Sequence, residues 1–112
     1  MNKAISAAAL VAAVVLTSTV FAASVPNDQC EDEPIFKSGL SAFVNGDDSK
    51  AARIFNSLAQ AGDACGQFWL GKLYSLGRGV HMDQNKSIEL MKMSAAQGYS
   101  KARLALFMRG IQ

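Results

Sequence analysis

The sequence predicts an all-α protein: a short α/α solenoid of two helix pairs followed by a C-terminal capping helix and preceded by a signal peptide. Three observations carry that expectation. Apolar residues recur at helical spacing from residue 34 onward, and no stretch alternates as a half-buried strand does. Glycines follow the helical stretches at Gly62, Gly77, Gly98 and Gly110, as helix stops do. The segments "SKAARIFNSLAQAGDA" and "NKSIELMKMSAAQGYS" also superimpose, Lys50 on Lys86 and Gly62 on Gly98, about 36 residues apart, a period of helix-pair arrays.

The first residues stand apart. Lys3 precedes an apolar run from Ala4 to Leu16, Thr17, Ser18 and Thr19 interrupt it, and Val20 and Ala22 are the small residues a signal peptidase reads. Residues 1–22 are therefore expected to be a cleaved signal peptide, with cleavage after Ser24 as the competing position. The apolar run falls short of the roughly 20 residues that a membrane span needs, so no membrane insertion is expected after cleavage. No cysteine lies near that position to take a lipid. The mature chain is expected in the periplasm or outside the cell.

Residues 23–33 are expected to be an extended N-terminal segment and 34–112 the helical domain. Pro34 suits the first position of the first helix, capped by Asp32 or Glu33 and running to about Val44. "NGDDS" makes a turn, and Asp48 or Ser49 is expected to cap a second helix carrying Ala52, Phe55, Leu58 and Ala59. The third runs from Ala64 to about Leu76, the fourth follows its cap Asp83, and the fifth runs from Ser100 to Arg109. The repeat boundaries are then 34–62 for a degenerate unit, 64–98 for a full unit and 100–110 for the terminal helix.

Within the full unit, "WLGKLYSLGRGVHMDQNKSIELMKMSAAQGYSKA" carries Leu70, Gly71, Tyr74, Gly77, Gly79, Val80, Asp83, Lys86, Ala95, Ala96 and Gly98 at fixed spacings. The pattern resembles a Sel1-like repeat, a tetratricopeptide-like α/α solenoid. Ser87 departs from it, standing where that family usually has Ala, and Met91 or its neighbour stands where an aromatic is common. The first unit keeps only Gly39, Phe43, Lys50, Ala51 and Gly62. The resemblance implies protein–protein contact without catalysis, in envelope assembly, polysaccharide export, motility or host interaction. Alternatives are a small periplasmic enzyme or cell-wall-ligand binder using the groove around Lys72 and Tyr74, and a secreted effector that binds host proteins.

A mature domain of roughly 90 residues is short of core, and a cross-link would offset this. Cys30 and Cys65 are expected to form a disulfide in an exported chain; two buried free thiols are the alternative. In stacked hairpins the first helices of successive units start at the same end, so the two cysteines can meet and tie the N-terminal segment over the array.

Chemistry is sparsely signalled. Gly66, four residues, Gly71 and Lys72 approximate a phosphate loop, but Leu73 offers no hydroxyl for magnesium and Phe68, Trp69 and Leu70 would crowd the loop. These glycines read instead as places where helices approach closely. His81 alone in a turn is no zinc site, and Ser-x-x-Lys is absent. Neither cofactor nor metal is expected. With 11 Lys and Arg against 9 Asp and Glu, and Lys3 lost with the leader, a net charge of about +1 is no footprint for nucleic acid. In Sel1-like arrays, which the pattern resembles, the concave surface is lined by the first helix of each unit, so the resemblance implies a protein partner there, at Gln67, Lys72, Ser75 and Arg78. The fifth helix, with Leu104, Leu106, Phe107, Met108 and Ile111, is apolar around much of its circumference. An exposed patch there, centred on Phe107, is expected to mediate self-association or to receive a partner.

Overall fold

The computed structural model describes residues 28–111; the expected signal peptide and residues 23–27 lie outside them. Five α-helices follow a short 3₁₀ turn at Gln29–Asp32: α1 Pro34–Val44, α2 Asp48–Gln60, α3 Ala64–Leu76, α4 Gln84–Ala96 and α5 Ser100–Met108. No strand occurs among the described residues. Each helix packs on its neighbours in the chain, so α1 with α2 and α3 with α4 form two hairpins, and α5 closes the stack against α4.

Aspartates start three of the helices. Asp47, Asp63 and Asp83 each accept, through Oδ1, the backbone N–H three residues on, at 3.1, 2.7 and 3.0 Å. The expected cap of α2 is corrected by one position: Asp47 takes it, because its carboxylate reaches the Lys50 N–H, which frees Asp48 for another partner. Glu33 precedes α1 without a side-chain cap, and Pro34 spares one donor there. The expected extended segment is also corrected, since Gln29–Asp32 winds into a 3₁₀ turn.

The helix ends share one closure. At Gly62, Gly98 and Gly110 the next residue donates its N–H five positions back, to Leu58, Ser94 and Leu106, the Schellman arrangement that a left-handed glycine permits.

Trp69 of α3 organises the core. It stacks on Phe55 at 5.7 Å and meets Phe36, Phe43 and Phe68 at tilted or edge-on angles, joining α1, α2 and α3. Tyr99, fully buried, extends the cluster toward α5 through Phe68. Met91 is core while Met93 on the other side of α4 is exposed.

Ser87 is fully buried and its hydroxyl has no hydrogen-bond partner among the described residues. Desolvating an unpaired hydroxyl costs more than the methyl that would replace it. Ser87→Ala should therefore raise the unfolding free energy by about 1 kcal/mol, read from the urea midpoint at unchanged slope. A lowered midpoint would mean that the hydroxyl is partnered.

Candidate interaction surfaces

The polar residues expected to line a partner surface are mostly engaged within the fold. Gln67 is corrected outright: it is only 4% exposed, and its Oε1 accepts from Gln97 Nε2 at 2.8 Å. The same Gln97 amide donates to the Gly62 carbonyl, and Ser94 Oγ donates to the Ala64 carbonyl at 2.6 Å, so these contacts fasten the end of α4 to the start of α3.

Arg78, in the loop after α3, is held as firmly. Its Nε and Nη2 donate to Asp48 Oδ1 at 2.9 and 2.6 Å, and Nη2 also reaches the Phe43 carbonyl at 2.8 Å. The guanidinium lies 3.9 Å from the Phe43 ring centroid, a cation–π contact that locks the first hairpin to the second. Beside it, Gly79 adopts φ +70°, and a Cβ there would strike the Asp48 carbonyl and Ala52. Nothing in the local sequence announces this pairing across 30 residues.

Ser75 Oγ donates to Gln84 Oε1 and accepts from Arg109 Nη2 at 3.1 Å. Lys72 is half-exposed with its Nζ 4.8 Å from the Trp69 ring centroid, and Lys86 stands similarly over Tyr74. His81 is exposed.

A second feature is the bracket at the N-terminal end. Cys30 and Cys65 form a disulfide with Cα atoms 5.8 Å apart, fixing the 3₁₀ turn to the first turn of α3. Asp63 lies within 4.8 Å of both sulfurs, but its Oδ1 caps α3 and the sulfurs are bonded to each other. From the same turn two carboxylates reach α5. Asp28 accepts from Ser100 N at 2.9 Å and from Ser100 Oγ at 2.6 Å. Glu31 accepts from the Tyr99 phenol at 2.5 Å and pairs with Lys101 at 2.6 Å.

The arrangement has a cause in how α5 begins. Tyr99 occupies the position, about 36 residues on, that Asp63 holds before α3, and a tyrosine cannot cap its own helix. Asp28 supplies the missing acceptor from 72 residues away. The Ser100 hydroxyl and N–H hold the Asp28 carboxyl below its usual range. Burial pushes the Glu31 carboxyl up, but hydrogen bonds from Lys101 and Tyr99 outweigh it and bring it below the usual range. Burial, then Glu31, pushes the Tyr99 phenol up, so it stays a donor.

The third feature is the outward face of α5. Leu104, Phe107 and Met108 are 57, 75 and 77% exposed, while Ala102 and Leu106 on the opposite side are buried. At about 100° per residue the three exposed side chains form one stripe, with Lys101 and Arg103 along its two edges. A shallow groove lined by Ser100, Arg103, Leu104 and Phe107 runs along it.

Among the described residues no helix is long and apolar enough to cross a membrane. Comparison of the chain with protein-family models, with curated proteins and with solved structures finds no match in any of the three.

Proposed function

We propose that the chain is an exported Sel1-like adaptor that works by protein–protein contact and docks through the outward face of α5. The observation that carries this reading is the stripe of Leu104, Phe107 and Met108, large apolar side chains turned to solvent on a helix whose other face is already packed. The ionisable groups whose titration the fold displaces, Asp28, Glu31 and Tyr99, are occupied in holding the N-terminal turn to α5, which supports a role for surface over acid–base chemistry. Export is supported by the disulfide, which persists in oxidising compartments.

Placing a photo-crosslinking amino acid at position 107 in cells should give a discrete adduct with one protein, and the same group at exposed Asn85 should not. In the purified pair, Phe107→Asp should weaken binding by about 30-fold or more while leaving the helical circular dichroism intact. Equal labelling from both positions, or a Phe107→Asp protein that binds unchanged, would remove the reading.

A further inference from the structure

We propose that the segment docking on α5 is acidic: a stretch of a partner protein that sets large apolar side chains against Leu104, Phe107 and Met108 and a carboxylate against Arg103. This names the chemistry of the partner and so rests on the docking face proposed above.

The groove along that face is lined by Ser100, Arg103, Leu104 and Phe107, so one wall of an apolar cleft carries a guanidinium. Among the described residues the ion pairs are Arg78–Asp48 and Lys101–Glu31. Arg103 is exposed and belongs to neither. A guanidinium bordered by apolar side chains attracts a carboxylate more strongly than one surrounded by water, and its planar fork can hold both carboxylate oxygens at once. The rest of the helix has the same sign. Residues 100–112 add Lys101 and Arg109 and contain no Asp or Glu. Arg109 donates to the Ser75 hydroxyl, a neutral partner. Asp28, bonded to Ser100 at the start of the groove, is already matched by that residue's N–H and hydroxyl. A partner's acid is therefore directed away from Ser100 and toward Arg103.

Other occupants fit this charge and shape less well. A second copy would bring one basic rim against another, with no acidic residue on α5 to offset the repulsion. An anionic bilayer would answer the charge, but interfacial binding grows with the apolar area inserted, and three side chains on a nine-residue helix supply little. A groove also suits an inserted side chain better than a layer of headgroups.

The test uses the oxidised chain and a displayed library of random peptides, each about three helical turns long. Peptides that bind the parent and are lost on Phe107→Asp should be enriched in Asp and Glu beside Phe, Leu or Trp. For the tightest of them, Arg103→Glu should weaken binding about tenfold. Exchanging the peptide's carboxylate for an ammonium should restore binding to the Arg103→Glu chain and weaken it to the parent, a reversal that a loss of structure would not give. Phe107-dependent peptides that are neutral or basic, or that bind Arg103→Glu unchanged, overturn the acidic partner and leave the docking face standing. If no peptide depends on Phe107, the docking face itself fails and this inference with it; phosphatidylglycerol vesicles that bind the parent and release Phe107→Asp would then assign the face to lipid.

Discussion

Replacing both cysteines, Cys30→Ser together with Cys65→Ala, should lower the unfolding free energy by about 3–4 kcal/mol. The cross-link spans 35 positions, and closing a loop of that length removes about this much conformational freedom, weighted by temperature, from the unfolded chain. For a domain whose whole margin is about 5–10 kcal/mol, the variant should keep its helices near room temperature yet unfold well below the parent on heating. Paired urea titrations of the oxidised parent and the double variant measure the difference. A loss under about 1 kcal/mol would mean that the unfolded chain is not restrained by the bridge, or that the bracket holds equally well without it.

That second possibility is testable, because the bracket has an ionic part. Asp28 and Glu31 both titrate below their usual range in the folded chain. A carboxyl shifted in that direction stabilises the fold above its unfolded pKa, and the contribution is lost as pH falls through the folded value. At neutral pH, then, α5 stays fastened through Ser100 and Lys101 even when the sulfurs are removed. As the pH drops below about 4, amide exchange at the start of α5 should quicken in both proteins, and more steeply in the double variant. Both carboxylates remain near water, so salt should weaken the Glu31–Lys101 contribution.

The helices themselves were legible because their signals are local: Pro34, the aspartate caps and the terminal glycines each act within one turn. The offset at Asp47 shows the resolution of such reading, since Asp47, Asp48 and Ser49 are all competent caps and only the backbone decides between them. The cysteine pairing was legible through topology, as parallel first helices bring their starts together. What was hidden depends on contacts between distant segments. Gln67 was expected on a partner surface, but α3 is covered by α2 on one side and α4 on another, so nearly its whole circumference up to Leu73 is buried. Arg78 was expected to contact a partner and is instead a cross-brace to Asp48. The Asp28 cap of α5 could be suspected only by noticing that Tyr99 stands just before α5, where a side-chain acceptor is needed and a tyrosine supplies none. The exposed stripe of α5, by contrast, was readable from composition, because a helix apolar around much of its circumference carries more apolar surface than packing on α4 covers.

Gly66→Ala should destabilise the chain by about 3 kcal/mol, the reverse of what helix propensity alone predicts. In an isolated helix the exchange favours folding by about 1 kcal/mol, since alanine restrains the unfolded backbone and is the better helix former. Here a Cβ at position 66 would press on Leu58 Cβ and lie 2.7 Å from the Ala59 nitrogen and 2.8 Å from the Leu58 carbonyl carbon. Two of those atoms are backbone of α2, which cannot turn aside as the tip of a side chain can, so α2 and α3 must separate and the ring cluster around Trp69 must loosen with them. Gly71→Ala provides the comparison on the other side of α3, against α4. Its nearest neighbour is the Ser87 carbonyl at 3.0 Å, and its next are the Leu90 and Met91 side chains at 3.3 Å, which can yield by a few tenths of an ångström. The two substitutions are chemically identical and both lie within α3, so the difference between their urea midpoints isolates packing from propensity. Gly66→Ala should be the costlier by about 1–2 kcal/mol. Equal costs would show that the α2–α3 contact is compliant, and the two glycines that imitate a phosphate loop would then need an explanation other than the close approach of helices.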